Sequence, residues 1–110
     1  MLRASITTYD GALTPAPIVT GVGTTGVEHG AEIIAFVDAV VLGDNDEYPV
    51  ARVVLEHLVG RAATDRVAMV AGNFSMMNRA LDAMGVPVDR GLEELAAEMG
   101  LTIPAHLITR

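Results

Sequence analysis

The segment TDRVAMVAGNFSMMNRALDAMGVP, residues 64–87, decides how this chain folds. Val67, Val70, Phe74, Met77, Leu81 and Met84 recur at alternating intervals of three and four, which places them on one face of a helix. A second stripe, Met69, Met76, Ala80 and Ala83, lies beside the first and makes the apolar surface wider than a single seam. Thr64 stands where an N-cap is expected. Gly85 tolerates the left-handed backbone of a helix stop, and Pro87 prevents continuation. A helix apolar on most sides must be covered on most sides.

Working upstream, residues 28–42 predict another helix with a broad apolar surface. Ala31, Ile34, Val37 or Asp38, and Val41 form one face, with Ile33, Phe36 and Val40 beside it. Gly43 stops it, and Gly43-Asp44-Asn45-Asp46 reads as a turn. Asp46 then reads as the N-cap of a short helix with the face Val50, Val53, Val54 and Leu58, ending at Gly60. Downstream, Asp89 opens a last helix. Its Leu92, Leu95, Ala96 and Met99 face inward, Glu93, Glu94 and Glu98 face water, and Gly100 closes it. The tail LTIPAHLITR reads as extended.

Composition sets the remaining bounds. A chain of 110 residues suits one core, and 51% hydrophobic residues supply material for it. Aromatics make up only 4%, so Val, Leu, Ile, Ala and the six Met must fill that core. The formal charge of −7, without a run of basic residues, argues against nucleic acid as a partner. With no cysteine there is no disulfide, thiolate metal site or thiol catalysis. No apolar stretch approaches the roughly 20 residues of a membrane span. The start MLRASITTYDG lacks a basic segment followed by a long apolar one, so a soluble, cytoplasmic protein is expected, without a membrane partner.

Residues 1–26 differ from the rest. Pro15, Pro17, Gly11, Gly21, Gly23, Gly26 and six Thr give them loop or short-strand composition, extended around Ala4–Thr8 and Pro17–Thr20. Within them, TGVGTTG (20–26) has the spacing G-x-G-x-x-G through Gly21, Gly23 and Gly26, and Asp44 lies at a distance suited to a ribose-binding acid. A nucleotide-binding module through the Gly21–Gly26 loop is therefore one reading. Against it, the leading strand is only Ile18-Val19, and everything after Asn45 reads helical, leaving no strands for a parallel sheet. The competing reading is a flexible lead-in to a helix.

Residues 71–89, AGNFSMMNRALDAMGVPVD, resemble the long C-terminal helix of the alkylhydroperoxidase D-like and carboxymuconolactone decarboxylase-like families. Those helices carry an aromatic-rich turn, then Asn-Arg, then Asp-Ala-x-Gly-(Val)-Pro, matched here by Phe74, Asn78, Arg79, Asp82, Ala83, Gly85 and Pro87. Residues 31–71 look like the two preceding helices, so the similarity spans roughly 31–90. The peroxidase branch uses a Cys-x-x-Cys pair with a nearby His and Glu. No cysteine exists here to carry that chemistry. The decarboxylase branch does not depend on such a pair, so the resemblance leaves room for proton-transfer chemistry.

Among candidate catalytic residues, Glu28 and His29, with Glu32 one turn on, form the Glu/His cluster beside the glycine loop. A His and a carboxylate can share a proton. Acids at a solvated helix start, favoured by the positive end of the dipole, would look the same. Asn73, Asn78 and Arg79 interrupt the apolar helix as candidate ligand-binding residues. Arg79 would suit a carboxylate-bearing ligand, and the structural alternatives are an internal network with Asp82 that fixes helix register or an intersubunit salt bridge. Glu56-His57 near a helix end is ordinary dipole complementarity, and His106 has no second ligand in register. No metal-ligand spacing occurs, so no metal and no cofactor is implied. The Met cluster, Met69, Met76, Met77, Met84 and Met99, reads as core filler.

The combined expectation is mostly α: a small helical bundle of about four helices (27–110) behind an irregular, strand-capable N-terminal arm (1–26). Functionally it is a non-peroxidatic, self-associating protein resembling the alkylhydroperoxidase D-like fold, forming a homo-oligomer through its first and third helices. The enzyme alternative is a lyase-like, decarboxylase-type activity on a small acidic metabolite.

Overall fold

A computed structural model describes residue 14 and residues 16–108. The extended segment expected at Ala4–Thr8 lies outside these, as do the last two residues. The described residues are mostly helical and contain no strand. Five α-helices follow one another: α1 (Ala16–Thr20), α2 (Gly30–Leu42), α3 (Glu47–Val59), α4 (Arg61–Ala83) and α5 (Arg90–Glu98), with a 3₁₀ turn at Ala105–Leu107. The chain divides into two compact units, Met1–Met69 and Val70–Arg110.

The first described element is a correction. Ala16–Thr20 is helical where Pro and Thr predict an extended segment. The turn closes through Gly21 N–H donating to the Pro17 carbonyl, and the Thr20 hydroxyl donating to the Ala16 carbonyl. Pro17 sits at the second helical position, where its missing N–H leaves no intrahelical bond unmade.

In the first unit α2 and α3 pack side by side. Phe36 on α2 and Leu55 on α3 are both fully buried, and Ala39 nearly so. Phe36 and Leu55 each contribute roughly 1.5–3 kcal/mol by leaving water. Tyr48 stacks on Phe36, with ring centroids 6.0 Å apart. These faces are not wholly the expected ones. On α2 the departure is partial: Phe36, from the expected second stripe, is buried, Ile33, Ile34, Val37 and Val40 are partly buried, Ala39 is an added buried position, and Ala31 and Val41 are exposed. On α3 the expected face Val50, Val53, Val54 and Leu58 is exposed, and Ala51, Leu55 and Val59 turn inward. Both helices carry apolar residues on more than one side, so the packing partner selects which stripe is used.

The joints are local chemistry. Asp44, not Asp46, caps α3: its Oδ1 accepts the N–H groups of Asp46 and Glu47 at 3.0 Å each. Asp46 already has helical dihedrals and makes no side-chain cap bond. Between α3 and α4 stands the single residue Gly60, with φ 83° and ψ 160°, a region open essentially to glycine alone. Thr64 is not an N-cap either. It lies within the first turn of α4, fully buried, and its hydroxyl donates to the Gly60 carbonyl at 3.0 Å. That bond satisfies a hydroxyl whose burial would otherwise be costly.

In the second unit α4 ends where the sequence says it should. Gly85 has φ 68°, its N–H donates to the Asp82 carbonyl, and the Val86 N–H reaches back to Leu81. This pair of bonds satisfies carbonyls the helix leaves open. Gly100 ends α5 with the same pair, to Ala97 and from Leu101 to Ala96. Along α5 the expected inward residues Leu92, Leu95, Ala96 and Met99 are partly buried, while Glu93, Glu94 and Glu98 are exposed. The tail is not wholly extended: it turns at Ala105–Leu107, and Val88 N–H donates to the Leu107 carbonyl at 2.7 Å.

Candidate functional site

The start of α2 holds the catalytic candidates. Gly21, Gly23, Thr25, His29 and Glu32 line a cavity of about 410 Å³. His29 takes the left-handed conformation, φ 55° and ψ 26°, the one described non-glycine residue with positive φ. Such backbone costs a β-carbon-bearing residue on the order of 1 kcal/mol. Thr25 shapes the same corner. Its hydroxyl accepts the Val27 N–H, and a β-carbon at Gly30 would overlap it, so any larger residue there must displace the Thr25 side chain.

The expected trio divides. His29 and Glu32 share the cavity, whereas Glu28 does not line it and its side chain is 90% exposed. Glu28 Oε1 stands 3.6 Å from His29 Nε2, an exposed contact of little energetic weight. Glu32 also borders a groove between α2 and α3 of about 420 Å³, rimmed by Asp46 and Glu47 and floored by Val50, Ala51 and Val54. The cavity wall thus carries one imidazole and one carboxylate, His29 and Glu32.

The glycine loop joins helix to helix. Ile18-Val19, which would have to be a strand for a dinucleotide cradle, belongs to α1. Two of its amides, Gly21 and Val22, and two that follow it, Val27 and Gly30, bond within the chain. Gly21 N–H goes to Pro17, Val22 N–H to the Thr20 hydroxyl, Val27 N–H to the Thr25 hydroxyl and Gly30 N–H to Val27. A phosphate site needs such donors free and convergent.

The ligand-binding candidates lie in the second unit. Asn78 and Arg79 line an open cleft of about 600 Å³ with Asp82, Asp89 and Leu107, and Asn73 is not among its residues. The polar network expected inside a buried helix is absent, because Asn73, Asn78 and Arg79 are all exposed. Asp82 pairs instead with His106, Oδ1 to Nε2 at 3.2 Å. No sequence signal announces that contact, since 24 residues separate the partners. Asn73 Nδ2 lies 3.8 Å from Met77 Sδ, a weak bond along one helix face.

Sequence reading also missed Arg52. Its Nη2 lies 2.6 Å from Glu56 Oε1 and 2.7 Å from Asp65 Oδ1, with Arg61 reaching Asp65 from the other side at 3.9 Å. The bond that Arg52 donates to Asp65 holds the guanidinium further above its already high pKa, assisted by Tyr48 and Glu56. Arg52 thus ties α3 to the start of α4 across the Gly60 joint. Only the Arg52–Glu56 spacing of four was visible in the sequence.

Among the described residues no three His, Asp or Glu gather as a metal would require, and no helix is long and apolar enough to cross a membrane. The geometry defines a small, mostly helical protein. No known protein family, curated protein or solved structure matches the chain.

Proposed function

We propose that this chain is a self-associating helical protein of the non-peroxidatic, alkylhydroperoxidase D-like kind, whose long helix α4 is an assembly surface. One observation carries the reading. Between Val70 and Met84 the helix exposes Val70, Phe74, Met77, Leu81 and Met84 together on one face. Monomers seldom leave so many large apolar side chains contiguous and in water, and symmetric pairing is the commonest way to cover them. Cysteine-dependent peroxide chemistry has no residue to perform it. Sedimentation equilibrium tests the proposal. The expected mass is at least twice the 11.5 kDa of one chain, and a single species at 11.5 kDa up to high concentration overturns it.

A second reading rests on the cavity that brings His29 and Glu32 together: lyase-like proton transfer on a small acidic metabolite. Titrating the protein with a panel of small carboxylates while following the His29 ring by NMR tests it. Saturable shifts at His29 that vanish in Glu32→Gln support it, and an unmoved ring removes it.

A further inference from the structure

We infer that two copies of this chain pair antiparallel through α4, so that Phe74 of each packs against the partner's Met77 and Val70 against the partner's Leu81. This rests on the self-association reading above and specifies its geometry.

Val70, Phe74, Met77, Leu81 and Met84 follow one another at steps of four, three, four and three. On a helix these steps confine all five side chains to an arc of about 80°, the straight seam that two helices share. Their exposures are 57, 52, 39, 41 and 68%, so the seam is open along its whole length. These five side chains offer several hundred Å² of apolar surface, the central part of the roughly 800 Å² that each partner covers in a standard interface.

The residues bordering the seam explain why a second copy fits it. They are Ala71 and Asn78 on one side and Asn73 and Ala80 on the other. None is charged, although the chain carries −7 overall. The two ionisable groups between Val70 and Met84, Arg79 and Asp82, lie about a third to a half of a turn from the seam. Identical acidic chains therefore meet here without opposing like charges, and the small, exposed Ala80 permits close approach, while Ala71 is already buried within the chain.

Direction follows from side-chain size. In the antiparallel register the two-fold axis passes between Phe74 and Met77. Each layer then joins a larger with a smaller or more pliant side chain, Phe with Met and Val with Leu. A parallel pair would stack Phe74 on the partner's Phe74 and Val70 on the partner's Val70, an overfilled layer beside an underfilled one. Antiparallel helices also set their dipoles head to tail.

The chain has no cysteine, so introduced thiols are the only ones present. Val70→Cys and Leu81→Cys are made separately, checked for helicity by circular dichroism, then mixed and oxidised. Antiparallel pairing places the two positions in contact, while two copies of residue 70 stand roughly 16 Å apart, beyond disulfide reach. The mixed disulfide is expected to form at least tenfold faster than either self-disulfide. Self-disulfides outrunning the mixed one would overturn the inference, as would no disulfide from a protein that sediments as a dimer. In both cases self-association stands. A monomer by sedimentation overturns both claims. Should either variant fail to fold, the exposed pair Asn73→Cys and Ala80→Cys replaces it with the same expected preference for the mixed product.

Discussion

The helix pair α2–α3 and the Val70–Met84 face of α4 are built from similar residues and end differently. In the pair, Phe36 and Leu55 reach zero exposure because each helix is the other's cover, and Tyr48 closes the end by stacking on Phe36. On α4, Phe74 and Leu81 remain largely in water. Apolar periodicity marks a surface that needs a partner. It does not say that the partner is in the same chain, and that difference separates a core from an interface.

The largest expected effect comes from charging the open face. Phe74→Asp puts an unpaired carboxylate into the paired seam, where burial of a charge costs several kcal/mol. The assembly should weaken by at least 100-fold by sedimentation, with the near-ultraviolet dichroism of Tyr48 unchanged. An undiminished assembly would show that α4 is not the contact and erase the contrast.

Next is the closed core. Phe36→Ala should destabilise the first unit by about 3–5 kcal/mol, read by chemical denaturation, because a cavity replaces a fully buried ring. A loss below about 1 kcal/mol would mean that the α2–α3 pair is no more a core than the α4 face is.

Gly60→Ala probes the joint between α3 and α4. A β-carbon there meets no atom within 4 Å, so the cost is conformational alone, about 1–3 kcal/mol. Thermal melts should show a drop between those of Phe36→Ala and Arg52→Gln.

Arg52→Gln should have the smallest effect. It removes the tie to Asp65 and Glu56, but those partners are partly solvated. The fall in Tm should shrink as salt is raised, since screening weakens ion pairs near the surface. A salt-independent loss would assign Arg52 to packing through its stem rather than to charge.

How much was legible varies with the range of the interaction. Helix ends were: Gly43, Gly60, Gly85 and Gly100 all have positive φ where the sequence places stops. Whether a given polar residue caps was less so. Asp44 and Asp46 both stand before α3, and their chemistry is identical. The backbone path alone decided that Asp44 accepts the free amides. Thr64 resembles a cap until Gly60 presents its carbonyl one turn earlier. For the candidate site, the sequence grouped Glu28, His29 and Glu32, and His29 and Glu32 line one cavity although His29 stands before the helix with a left-handed backbone. The sequence could not reveal that Glu28 points to solvent or that Gly21 and Gly23 join the same cavity. Asp82–His106 and Arg52–Asp65 are long-range contacts and left no trace in the sequence.

The sequence by itself determined that the chain is helical, where most of its helices stop, and that its apolar surface exceeds one face per helix. These follow from short-range terms: glycine backbone freedom, proline geometry and the spacing of side chains around a helix. Tertiary structure alone decided which stripe on α2 and α3 goes inward, since Val50, Val53 and Val54 have no less claim to burial than Leu55. Hydrophobic attraction is non-directional. Which apolar face is satisfied is settled by the fit of one helix against another, as Phe36, Tyr48 and Leu55 settle it here.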